Sequence, residues 1–154
     1  MSGIVRRACL VASLSKSAVR VIRASDVTAA CPMADAIGAV RAGFVALSAG
    51  RAAVPVRLGV PLGPGAVALT MPASLAGSPY YAVKVVTVVP DNPPRGLPLV
   101  GAAVLLGDAA TGAALALIDG TTLTALRTGA AGGVAAAALA RPESAVLALF
   151  GVGA

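Results

Sequence analysis

Apolar side chains between Pro32 and Gly50 recur every three or four residues, which is the period of one helix face. Proline suits the first position of a helix, and glycine suits the position that ends it. The pattern therefore predicts a helix that begins near Pro32, is closed by Gly50, and has an apolar stripe made of Met33, Ile37, Val40, Phe44 and Leu47.

The middle of the chain has shorter apolar runs that are separated by glycine and proline clusters. Residues 54–62, 67–71 and 80–89 read as three strands of a meander, because strand-forming residues fill them and turn-forming residues bound them. Residues 99–106 and 114–118 read as a hairpin with a short glycine-containing turn. These runs predict one mostly antiparallel sheet.

A helical pattern returns after Asp119 and Gly120, where capping threonines precede an alanine-rich stretch that Pro142 stops. Residues 144–150 form a continuous apolar run, typical of a strand that is covered on both faces. This run leads into Gly151 and Gly153, and a strand followed by Gly-x-Gly opens a dinucleotide-binding unit. The motif taken alone is weak, because the third glycine and the next helix do not follow in this sequence.

The composition, 58% apolar with mean hydropathy +0.91, raises the question of a membrane protein. The longest stretch without a charge, residues 58–83, contains four prolines, which would break a spanning helix. We therefore predict no membrane partner. The net charge of +6 comes largely from five cations before residue 24, so the rest of the chain is almost neutral. Four Phe and Tyr residues and no basic domain argue against nucleic acid.

Cys9 and Cys31 are the two cysteines of a chain without histidine. This excludes a disulfide framework and a Cys/His metal site, so we predict no metal and a reducing, cytoplasmic setting. Residues 1–20 are expected to be a disordered leader or extension. Their apolar run is short for an export signal, and an organelle presequence stays the alternative.

Three isolated cations stand in apolar segments: Arg57, Lys84 and Arg127. Lys84 is the most unusual, because valines surround it in a predicted strand and an unpaired buried ammonium is costly. Each cation could instead lie at the surface with its stem on apolar atoms. If the three converged, they would form a clamp for a carboxylate, since arginine binds carboxylate with two hydrogen bonds and lysine adds a point charge.

Several motifs together resemble the ornithine cyclodeaminase and mu-crystallin family over roughly residues 21–154. They are V-P-x-R at 54–57, K-V-V-T at 84–87, N-P-x-R-G-L-P at 92–98, and D-G-x-x-L-T-A-L-R-T at 119–128, followed by A-R-P and the Gly-x-Gly strand. The resemblance implies an α+β fold. Residues 21–120 would form a curved, mostly antiparallel sheet with flanking helices that binds substrate and dimerises. Residues 121–154 would form a linking helix and the first strand of an incomplete Rossmann domain.

The resemblance also implies an enzyme that uses NAD or NADP at the α-carbon of a small amino or cyclic imino acid, as a homodimer. Arg57, Lys84 and Arg127 would hold the substrate carboxylate, Lys84 would also be catalytic, and Gly151 and Gly153 would begin the cofactor site. Ala68 stands about where ornithine-specific members carry an acid, which puts ornithine in doubt. An ornithine cyclodeaminase, a non-catalytic binding or dimerisation module, and an inactive truncated product are the alternatives.

Overall fold

The computed structural model describes residues 18–151, which form three α-helices and seven β-strands. The helices are α1 (Ala24–Ala30), α2 (Met33–Ser48) and α3 (Gly120–Leu139). The strands are β1 (Arg20–Ile22), β2 (Ala52–Ala53), β3 (Leu58–Gly63), β4 (Ala66–Leu75), β5 (Tyr80–Val88), β6 (Val100–Asp108) and β7 (Ala114–Asp119).

All seven strands belong to one sheet in the order β1-β7-β6-β5-β4-β2, and β3 pairs with β4 beside β2. The pairs from β2 to β7 are antiparallel, whereas β1 pairs with β7 in parallel. Helix α3 contacts β5 and β6, α1 contacts β7, and α2 packs on α3. This confirms the predicted α+β class and its mostly antiparallel sheet with flanking helices.

The core lies between the sheet and the helices. Val86, Val104 and Ala116 are buried on the strand side, and Val27, Ala36 and Ala130 on the helix side. Neighbouring strand residues point to opposite faces, so the other face of the sheet carries the intervening side chains. That open face is apolar and exposed, with Val21, Leu58, Val60, Val85 and Leu117 among its side chains.

The predicted helix after Pro32 is confirmed as α2, and the predicted helix after Gly120 is α3. The predicted strand at 54–62 is partly wrong, because residues 54–57 form no strand and β3 begins at Leu58. The edge of β4 is paired with β3 up to Thr70 and with β2 from Ser74, so residues 54–57 pass between these two pairings. Pro55 also lacks the amide proton that a ladder requires.

The predicted strand at 144–150 is not formed: these residues are exposed and carry no strand pairing. A strand exists through its ladder, and no other strand of the described chain extends to this segment. At the other end, β1 begins at Arg20, inside the segment expected to be a disordered leader. The rest of that expectation, for residues 1–17, lies outside the described residues.

Within residues 18–151, no single helix is long and apolar enough to cross a membrane. Helices α1 and α2 together have the length and composition of a membrane span, but the chain bends by 86° between them. The same part of the chain contains no group of three His, Cys, Asp or Glu side chains that could hold a metal ion.

Candidate functional site

Lys84 lies in the middle of β5, on the face of the sheet that the helices cover. The register places Met71 of β4 opposite it on one side and Val104 of β6 on the other. Ile118 and Ile22 continue the same row across β7 and β1. Lys84 is therefore the one charged side chain in a row of five that is otherwise apolar, and it is half-buried.

The first turn of α3 is fixed over β6 next to this row. The Asp119 side chain caps the helix by accepting a hydrogen bond from the Thr122 amide at 2.7 Å. The Ala102 amide donates to Thr121 Oγ1 at 3.0 Å. A Cβ added at Gly120 would stand 2.7 Å from backbone atoms of Ala102 and Ala103, so glycine alone allows this close approach. These contacts set the height of α3 above the sheet.

Thr124 meets Lys84 from this turn of α3. Lys84 Nζ donates a hydrogen bond to Thr124 Oγ1 at 2.7 Å, and the Thr124 hydroxyl donates to the Gly120 carbonyl. Nζ is thereby held under the N-terminal part of the helix. From the sequence, the threonines of this segment were predicted only to cap the helix, and the contact with Lys84 was missed. The hydroxyl group of Thr124 is the only feature of the sequence that could have indicated it.

Arg127 follows Thr124 by three residues on α3 and is exposed. Burial lowers the pKa of Lys84 below its usual value, and the positive charge of Arg127 lowers it further. Lys84 contacts Thr124, and Arg127 stands about one turn further along the same helix, so the two cations lie near each other. The structure therefore brings together two of the three predicted carboxylate-binding residues.

Arg57 is exposed and lies directly before β3, where no strand is assigned. The β3–β4 register pairs Leu58 with Thr70, so one further step would set Arg57 opposite Met71. Arg57 itself forms no ladder pairing in the described part of the chain, so the structure does not bring it together with Lys84 and Arg127.

Ala68 was expected to stand near the position of an acid in ornithine-specific enzymes, but it lies on the other face of the sheet. It pairs with Thr87, whereas Met71 pairs with Lys84, and the alternation of side chains separates the two pairs onto opposite faces. The β4 residues on the Lys84 face are Val67, Leu69, Met71 and Ala73. The site is consequently walled by apolar side chains along β4.

Of the two glycines predicted to begin the cofactor site, Gly151 has a positive φ of 79° and is exposed. A side chain would be strained in this backbone conformation, so glycine suits the tight turn that a dinucleotide-binding loop needs. Gly153 lies outside the described residues.

Comparison with known proteins gives consistent matches. A family model described as the ornithine cyclodeaminase/mu-crystallin family matches residues 18–154. Alanine dehydrogenase of Archaeoglobus fulgidus is 38% identical over 133 residues, which are 86% of this chain and 40% of that protein.

Two solved structures match with a TM-score of 0.77 each. The Δ1-pyrroline-2-carboxylate reductase of Thermococcus litoralis, in complex with NADH and L-proline, is 42% identical, and the match covers 82% of this chain and 39% of that one. An archaeal alanine dehydrogenase dimer with bound NAD is 36% identical over 82% of this chain and 38% of that one. This chain thus spans about two fifths of the length of the relatives it matches. It belongs to the ornithine cyclodeaminase/mu-crystallin family.

Proposed function

We propose that this chain forms the substrate-binding part of an NAD- or NADP-dependent enzyme that acts at the α-carbon of a small amino acid or cyclic imino acid. The observation that carries the proposal is the hydrogen bond from Lys84 of β5 to Thr124 of α3, with Arg127 about one turn further along that helix. The similarity to an alanine dehydrogenase and to a Δ1-pyrroline-2-carboxylate reductase supports the proposal. Residues 21–120 are the substrate-binding and dimerisation part of this proposal, and residues 121–154 lead to the dinucleotide-binding part.

In this proposal Arg127 and Lys84 bind the substrate carboxylate, and Arg57 closes the clamp from the start of β3. The guanidinium groups supply paired donors in a plane, and the lysine ammonium supplies a compact charge. Two cations near each other repel, so a carboxylate between them removes an unfavourable interaction in addition to its own attraction. Holding the carboxylate at this point fixes the orientation of the α-carbon.

Lys84 is the catalytic residue of the proposal. Burial and Arg127 lower the pKa of its ammonium, which gives up a proton more readily than that of an exposed lysine. It can therefore hold and move the proton that a charge change at the substrate nitrogen requires. Gly151 and Gly153 would hold the pyrophosphate end of NAD or NADP, and the positive φ of Gly151 supports a glycine-dependent turn at this point. The nicotinamide supplies hydride chemistry when bound.

The apolar wall of β4 favours a dehydrogenase or reductase over an ornithine cyclodeaminase. A cyclodeaminase must accept a side-chain ammonium, and a buried ammonium without a partner is costly. Val67, Leu69 and Met71 offer no acceptor on the Lys84 face. A small or apolar substrate side chain is the better match.

Steady-state kinetics of the full-length protein test the proposal. The substrates are pyruvate with ammonia, a cyclic ketimine carboxylate, and ornithine, each with NADH or NADPH for reduction or NAD for oxidation. We expect turnover of one of the first two and a loss of kcat in Lys84→Met. Absence of turnover with all three, or turnover of ornithine alone, would contradict it.

Dimerisation through the open face of the sheet is the second part of this proposal. The face exposes several large apolar side chains, including Val85 at 44% and Leu117 at 43%. Exposed apolar patches of this kind mark protein interfaces. An alanine dehydrogenase with the same fold is a dimer, which supports a second copy of this chain as the occupant. The non-catalytic alternative, a binding or dimerisation module, would use the same face.

A further inference from the structure

Thr124 makes two hydrogen bonds with one hydroxyl group. Its proton is donated to the Gly120 carbonyl, four residues earlier in α3, while its oxygen accepts a proton from Lys84 Nζ at 2.7 Å. A hydroxyl has one proton and two lone pairs. Because the proton is already used inside the helix, the oxygen can act toward Lys84 only as an acceptor.

This arrangement distinguishes the two protonation states of Lys84. An ammonium has three protons and no lone pair, so an obligatory acceptor suits it, and hydrogen bonding to a charged form favours that form. The other neighbours of Lys84 do not stabilise its ammonium group. Met71 and Val104, directly opposite on β4 and β6, carry no charge, and Arg127 on α3 opposes the ammonium.

The geometry also fixes where Nζ stands. Lysine has four rotatable bonds above its Cα, and a single acceptor at the end of the chain selects among its rotamers. Thr124 is itself rigid, because its β-branched side chain and its bond to Gly120 restrict χ1. Gly120 in turn is packed against the backbone of β6.

We propose that Thr124 is a positioning residue for Lys84. It holds the ammonium over the middle of β5, under the first turns of α3, through an oxygen whose own proton is donated to Gly120. The inference rests on the proposed function for its catalytic meaning, whereas the contact itself can be tested without turnover. Thr124 acts through Lys84 and does not need to touch the substrate.

Lys84 can be observed directly in protein labelled with ¹³C at lysine. The Cε signal that Lys84→Arg removes is that of Lys84. The Cε chemical shift is followed against pH in wild type, Thr124→Val, Thr124→Ala and Thr124→Ser. Thr28→Val is the matched control, because Thr28 Oγ1 also donates to a carbonyl four residues earlier, that of Ala24 in α1.

Thr124→Val is expected to lower the pKa of Lys84 further, since the ammonium loses its acceptor while burial and Arg127 stay. Thr124→Ala should act in the same direction, which keeps the test valid if one variant folds poorly by circular dichroism. Thr124→Ser should restore the wild-type titration, and Thr28→Val should not change it.

Kinetics add a second reading, in which Thr124→Val is expected to reduce kcat/KM about 10- to 100-fold, from the usual worth of a hydrogen bond to a charged group. An unchanged Lys84 titration in both Thr124→Val and Thr124→Ala would overturn the proposal, as would a Thr124→Ser variant that titrates like Thr124→Val. Failure of all substrates to turn over would count against the proposed function alone, because the titration is measured without substrate.

Discussion

Met71 of β4 stands directly opposite Lys84 of β5, so the cation has a thioether side chain as its neighbour across the strand pair. Leu69 lies two residues along β4 on the same face, whereas Thr70 between them and Ala68 before Leu69 face the other way. An amino acid held by its carboxylate at Lys84 would extend its side chain along this apolar wall.

A new carboxylate on that wall should change the preferred substrate. We expect Leu69→Glu to improve kcat/KM for a diamino acid relative to a small apolar amino acid by about tenfold or more, because the carboxylate pairs with the distal ammonium. Ala68→Glu is the control, since it adds the same group on the opposite face. Equal selectivity of the two variants in steady-state kinetics would show that the β4 wall does not contact the substrate.

Arg127→Ala should weaken the binding of carboxylate substrates by about 1.5 to 3 kcal/mol, the usual contribution of a hydrogen bond to a charged group. It should also raise the pKa of Lys84, because a neighbouring positive charge is removed. Calorimetry should find the affinity for NAD almost unchanged. Arg41→Ala on α2 removes an exposed arginine elsewhere and should have none of these effects. A similar loss in both variants would indicate a general effect of net charge.

Substrate affinity should decrease at alkaline pH earlier than for a site built on an ordinary lysine. The ammonium of Lys84 binds the carboxylate, and its lowered pKa means that this charge disappears before pH 10.5 is reached. Affinity should thus be constant near neutrality and fall as pH rises through the lowered pKa. Lys84→Met should bind weakly at every pH without this decrease, and a wild-type profile that stays flat up to pH 10.5 would contradict the assignment.

The same shift affects folding with the opposite sign. Between the lowered pKa and 10.5, the unfolded chain binds a proton at Lys84 that the folded chain has released. The contribution of Lys84 to the free energy of unfolding therefore rises with pH in this window and is unfavourable below it. Urea titrations of wild type and Lys84→Met check the difference.

Gly120→Ala should destabilise the fold by about 1 to 3 kcal/mol, as overpacking does, because the new methyl group would overlap the backbone of β6. Gly132→Ala is the matched control in the same helix. Nothing lies within 4 Å of its added Cβ, so the gain in helix propensity should stabilise α3 by up to about 1 kcal/mol. Denaturant unfolding measures both, and equal effects would refute the close approach at Gly120.

A charge on the open face of the sheet should prevent dimerisation. We expect Val85→Asp or Leu117→Asp to raise the dimer Kd about 100-fold, because burying an unpaired carboxylate costs a few kcal/mol. Val45→Asp places the same charge on the exposed surface of α2 and should leave the Kd unchanged. Analytical ultracentrifugation over a concentration series distinguishes them. Dimers that persist in both sheet variants would exclude this face as the interface.

The sequence predicted α2, α3 and the central strands well, because long helices and apolar runs carry strong local periods. The sequence also identified Lys84, because a single cation among valines interrupts the apolar pattern of a strand. Strand β1 was missed because it has three residues and no period of its own. Its existence depends on β7, which lies far away in the chain.

Other errors arose where the outcome depended on register or on partners. The face on which Ala68 lies could not be predicted, because a slip of one residue along a strand reverses the direction of every side chain. The run at 144–150 has strand-forming residues, yet a ladder needs a second strand beside it. The contact between Lys84 and Thr124 joins residues that are 40 apart in the sequence. It depends on side-chain torsion angles, which the hydrophobic pattern of a sequence does not predict.

The parallel pairing of β1 with β7 also bears on how the domain folds. Neighbouring strands from β3 to β7 are joined by connections much shorter than the chain between Arg20 and Ala116, which must close into a loop before β1 can pair with β7. The entropy lost on closing a loop grows with the length of the loop. The pairing of β1 with β7 therefore has the largest entropic cost of the strand pairings in this sheet. The edge formed by β1 is therefore the part of the sheet that assembles after the meander and opens before it.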